Sequence, residues 1–94
     1  MSINDKIRNK QTDELFEAVL KLKSVDECYD FFVDLCTIAE IQSLSQRLAV
    51  AKLLKDKITY NEIVKETGAS TATISRVKKC LEYGEGGYQL VLDE

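Results

Sequence analysis

Apolar residues along this chain recur at every third or fourth position far more often than at every second, which is the period of helices rather than strands. The first clear run is Leu15, Phe16, Val19 and Leu20, with Asp13, Glu14 and Glu17 in the early turns where acids suit the helix dipole. The segment before it, to about Lys10, is polar and reads as frayed, and this helix is expected to end near Lys23. Ser24 opens "SVDE", in which a hydroxyl caps a helix start and Glu27 reaches back. Cys28, Tyr29, Phe31, Phe32, Leu35 and Cys36 follow, an apolar stripe wider than one face of a small domain needs. It suits either a core or a subunit interface. Thr37 opens a second box, "TIAE", and the longest helix, running to about Lys57, with Ile41, Leu44, Leu48, Ala51 and Leu53 or Leu54 on one face. "KDKI" closes it. Thr59 opens a third box, "TYNE", and a short helix through Ile63 and Val64 that stops at Gly68. Ser70 or Thr71 caps the next helix, whose buried line is Ile74, Val77 and Leu81, with Cys80 alongside. Gly84, Gly86 and Gly87 end it, and "YQLVLDE" is apolar enough for a further short helix. The pattern predicts an all-α fold of five to six helices. It forms a single domain over 1–94, with N-terminal helices over 11–58, a two-helix element over 59–83 and a C-terminal tail or short helix over 84–94.

Composition narrows the function more than the fold. The chain has 94 residues, 45% of them apolar, and no proline. That supports a packed helical core, but one small enough for partner association to be expected. No apolar stretch reaches the length of a bilayer span, and "MSINDKIRNKQ" lacks a signal core, so a cytoplasmic protein without a membrane is expected. Three cysteines with no histidine and no CxxC exclude the usual zinc spacings. Cys28, Cys36 and Cys80 are read as small core residues. No Cys–His pair and no phosphate-binding glycine loop is present. "GEGG" at 84–87 reads as a flexible stop. An enzyme is not expected, nor a metal.

Residues 59–79 read as helix, tight turn, helix, with the apolar spacing of a helix-turn-helix. The second helix would present Thr71, Ala72, Ser75, Arg76 and Lys79 outward. Its front end, "GASTAT", is unusually slim. A helix entering a major groove about 12 Å wide gains from short side chains there. They let the backbone approach the base edges, while hydroxyls and methyls contact bases and the positive helix end favours phosphate. Charge agrees. Between Lys52 and Lys79 stand seven bases and three acids, a net +4, in a chain of net −3. Such a segment suits a polyanion, with Arg76 and Lys79 adding salt-dependent affinity.

"TGASTATISRVKKCL", preceded by "EIQSLSQRLAVAKLLKDKITYNEI", resembles the Trp repressor superfamily, and more closely its short YerC/YecD branch, over about residues 11–83. The resemblance implies an intertwined homodimer in which the helices of 11–58, with Leu15, Phe16, Val19, Leu20 and the Cys28–Cys36 stripe, form core and dimer interface. It implies two reading heads about one DNA turn, ~34 Å, apart on a near-palindrome. By motif position Asn61, Ser70, Thr71, Ala72, Thr73 and Ser75 match the family's DNA-facing residues, so the implied partner is double-stranded DNA. The family's corepressor site would fall on Thr37, Arg47 and Arg76. Arg47 matches if the long helix is one residue shorter, and Gln46 takes the place without a gap. Two positions depart from the pattern: Val77 replaces a glycine that makes room for an indole, and Cys80 replaces a serine that contacts the ligand amine. The expectation is a DNA-binding transcriptional regulator, a repressor, with no cofactor and no tryptophan response. The competing expectation is a dimeric helical adaptor that contacts protein instead of DNA.

Overall fold

The computed structural model describes residues 3–93 and is all-helical, with seven helices and no strand among them. The helix beyond the expected five to six is α1 (Ile3–Ile7), in the segment the apolar pattern left as frayed. Its five residues bury nothing, so periodicity had little to register. The chain divides into two compact units, Met1–Thr37 and Ile38–Glu94.

In the first unit α2 (Lys10–Val19) is capped by Asn9, whose Oδ1 accepts from the Thr12 N–H at 2.8 Å. The helix closes at Leu20, before the expected Lys23. α3 (Val25–Leu35) starts on the foreseen box: Ser24 Oγ accepts from the Glu27 N–H at 3.1 Å. Glu27 Oε1 in turn accepts from the Lys23 N–H at 2.9 Å, one residue outside the cap. Phe31 and Phe32 meet edge to face at 5.6 Å. None of the described residues of this unit is buried. Leu20, Val25 and Tyr29 stand open, as do Phe16 and Val33.

The second unit holds the core. α4 (Ile38–Lys55) packs on α5 (Tyr60–Thr67), α6 (Thr71–Tyr83) and α7 (Gly87–Leu92), and α5 packs on α6. Val50 and Ala51 of α4, Ile63 of α5, Ala69 of the turn, and Ile74 and Val77 of α6 are buried together. Leu53, Leu54, Ile58, Tyr60, Val64, Leu81, Tyr88 and Leu92 close around them. The expected face of α4 is therefore only partly the packed one: Leu44 and Leu48 are exposed, and Val50 and Ala51 carry the contact. Apolar residues run round α4, so one stripe cannot hold them all. Just beyond α4, Lys57 lies in the left-handed region (φ 62), where the Lys57 N–H donates to the Leu54 carbonyl and the Ile58 N–H to the Leu53 carbonyl, both at 3.0 Å. α6 ends at Gly84, where any Cβ would collide with the Cys80 carbonyl. Cys28 and Cys36 are half-buried, but Cys80 is exposed, against the core reading. At 100° per residue it lies roughly a quarter-turn from the Ile74, Val77, Leu81 line.

Candidate nucleic-acid interface

Residues 59–83 form the helix-turn-helix by local rules. Thr59 Oγ1 accepts from the Glu62 N–H at 3.4 Å and starts α5. Gly68 ends it in the left-handed conformation, φ 72, with its N–H on the Val64 carbonyl at 2.9 Å. Thr67 ties the turn together: its hydroxyl donates to the Ile63 carbonyl at 2.7 Å and accepts from the Ala69 N–H at 3.1 Å. Ala69, 2% exposed, then plugs into the core, which a larger side chain could not do without pushing the turn outward.

Of the two residues offered as the α6 cap, Ser70 is the one used. Its Oγ accepts from the Thr73 N–H and donates to the Thr73 hydroxyl, both at 3.1 Å. Ser70 and Thr73 thus engage each other, and Thr73 is half-buried. Thr71, Ala72, Ser75, Arg76 and Lys79 are all exposed on one side of α6, while Ile74 and Val77 point the other way into the core. Asn61 is exposed in the first turn of α5. In the slim front turn Ser70, Thr71 and Ala72 are exposed, and the N–H groups of Thr71 and Ala72 precede the first intrahelical bond, Ile74 N–H to the Ser70 carbonyl, at the positive end of the dipole.

The basic residues divide in the same way. Lys78 lies 3.9 Å from Glu82 and 6.0 Å over the Tyr60 ring, and Lys55 pairs with Asp93 at 2.8 Å. Among the described residues neither Arg76 nor Lys79 has an ion pair. Two uncommitted cations therefore flank the exposed hydroxyls.

The candidate corepressor residues are placed differently. Thr37 is the last residue of the first unit and is exposed. Arg47 is half-buried, its Nε turned back onto the Ser43 carbonyl at 3.3 Å, and Arg76 is exposed. Val77 is 1% exposed and fills the core at the position where the resemblance leads one to expect a glycine. Gln46, the alternative to Arg47, donates from Nε2 to the Thr67 carbonyl at 3.0 Å. An open cleft of about 290 Å³ lies among α4, α6 and α7, lined by Leu54, Lys55, Lys78, Leu81, Tyr88 and Leu92; neither Arg47 nor Arg76 reaches it. Two ties across the second unit were not foreseen, Gln46 to Thr67 and Lys55 to the end of α7. Gln46 had a signal: it stands four residues before Val50, a polar residue on a packed line.

No helix among the described residues is long and apolar enough to cross a membrane. The profile of the Trp repressor protein family matches residues 10–94. The chain is 61% identical over 89 residues to YerC of Bacillus subtilis (strain 168), a protein of uncharacterised role, covering 95% of this chain and 86% of YerC. Its fold matches the crystal structure of a candidate Trp repressor from Staphylococcus aureus with a TM-score of 0.94 at 55% identity, over 99% of this chain and 93% of that one. It matches a TrpR-like protein from Eubacterium eligens ATCC 27750 with a TM-score of 0.92 at 54% identity, over 96% and 93%.

Proposed function

The chain belongs to the Trp repressor protein family, and from that premise we propose that it is a homodimeric, sequence-specific DNA-binding transcriptional regulator, a repressor that does not respond to tryptophan. The observation that carries this reading is the open front of α6. Thr71, Ala72 and Ser75 are small and exposed, Arg76 and Lys79 beside them form no ion pair among the described residues, and Ile74 and Val77 anchor the helix from behind. A helix so mounted can enter a major groove with its leading turn against base edges, while the free cations meet phosphate. Asn61 reaches the duplex from the preceding helix, and Ser70 and Thr73 hold the leading turn rigid. Dimerisation is supported by a first unit that buries none of its described residues while exposing Leu20, Val25 and Val33. Val77, filling the core, supports independence from tryptophan.

In vitro selection of duplexes from a random pool tests the reading. It should return a near-palindrome with half-sites about one helical turn apart, bound with an affinity that falls steeply as salt rises and is lost on Arg76→Glu. A pool that yields no preferred sequence, together with a salt-insensitive complex with another protein, would favour the adaptor.

A further inference from the structure

We propose, resting on the regulator reading above, that the reading head is fixed on α4 by the chain's own bonds and binds DNA without any small-molecule effector, with Gln46 as the positioning residue that sets the head's angle. α4 is tied to the head at two points. At the front, Gln46 Nε2 donates to the Thr67 carbonyl at 3.0 Å in a partly buried setting. Thr67 is the last residue of α5, and its hydroxyl already organises the turn through Ile63 and Ala69. The bond therefore acts one step before Gly68 and Ala69, which aim α6. At the back, nine residues and about 13 Å further along α4, Lys55 Nζ donates to the Leu92 carbonyl and to Asp93 Oδ1, both at 2.8 Å. That fastens α7, which is tied in turn to α6 by Gln89 Nε2 on the Leu81 carbonyl at 3.2 Å.

Between the two ties the contact is filled. Val50, Ala51, Ile63 and Ile74 are fully buried and Val77 is 1% exposed. A ligand can shift a head only by binding one orientation better than another. To do so from the buried contact between α4 and α6 it would have to displace Val77; the open cleft among α4, α6 and α7 lies at the Lys55 tie instead and is lined by neither Gln46 nor Thr67. Internal packing and hydrogen bonds hold the orientation seen here with no ligand contributing to it.

The test compares protein as purified with protein unfolded, dialysed and refolded to strip bound small molecules, both measured on the selected duplex. Equal affinity, within about twofold, is expected. Binding by the as-purified protein alone, or binding regained by the refolded protein on adding L-tryptophan, would overturn the proposal while leaving the regulator reading intact. Binding by neither preparation to any duplex would sink both. Gln46→Leu keeps the bulk and removes the donor. It should lower the ratio of specific to non-specific affinity about tenfold, with non-specific binding and its salt slope unchanged. Gln46→Arg, which keeps an N–H donor, should recover most of that ratio. An equal loss of specific and non-specific binding in Gln46→Leu, or an unchanged ratio, would contradict a positioning role.

Discussion

Ser70 and Thr71 are neighbours with similar chemistry, yet the fold gives them different duties. The Ser70 hydroxyl is spent on Thr73, capping α6, whereas the Thr71 side chain stands exposed. Ser70→Ala should therefore cost ~1 kcal/mol of stability, as lost caps do, and Thr71→Ala should leave the denaturation midpoint unmoved. Equal effects from the two substitutions would show that the cap is shared or absent. Much at this scale is legible from sequence because caps are local. Ser24, Thr59 and Ser70 each sit three residues before the N–H they accept from. Contacts across the chain are not legible in the same way: Gln46 and Thr67 are 21 positions apart, and no spacing rule joins them. Cys80 was misplaced because an apolar neighbour of a buried line is not itself on the line.

The helix-turn-helix depends as an element on Gly68. An added Cβ there would meet nothing within 4 Å, so crowding is not what excludes other residues; the left-handed backbone, φ +72, is. Gly68→Ala should destabilise by ~1–2 kcal/mol from that backbone cost alone, seen as a lower denaturant midpoint at unchanged slope. Gly68→Asn should cost less, since asparagine tolerates this region. A loss much larger than this, or a changed slope, would mean that the turn rearranges. Periodicity located α2, α3, α5 and α6, because each buries or offers one stripe. It misjudged α4, whose apolar residues occupy more than one face. Val50 and Ala51 enter the core while Ile38, Leu44 and Leu48 stay open. It passed over α1, which has no such stripe.

At the scale of the whole molecule the two units differ in self-sufficiency. Residues 38–93 contain every buried side chain described, whereas the earlier helices expose Leu20 at 82% and Phe16 at 56%. Helices that bury so little have weak reason to persist alone, since most helical stability comes from packing. A second copy would supply that packing. The melting temperature should then rise with protein concentration, as mass action requires when folding and association are linked, and Leu20→Asp should shift sedimentation toward the monomer. A concentration-independent melt from a stable monomer would contradict the dimer. The apolar surplus was visible in the sequence from Cys28 to Cys36. Which residues a partner covers was not, because helical spacing does not distinguish a chain's own core from an interface.

The account rests most heavily on the exposed leading turn of α6 meeting DNA. The most direct measurement is the affinity of Thr71→Glu for the selected duplex, taken beside its far-ultraviolet circular dichroism. The added carboxylate would face phosphate and base edges with no fold contact to disturb. Specific binding should disappear while helical content stays at the wild-type level. Undiminished binding would place the duplex elsewhere on the protein, and a parallel loss of helix would make Thr71 a structural residue and not a contact.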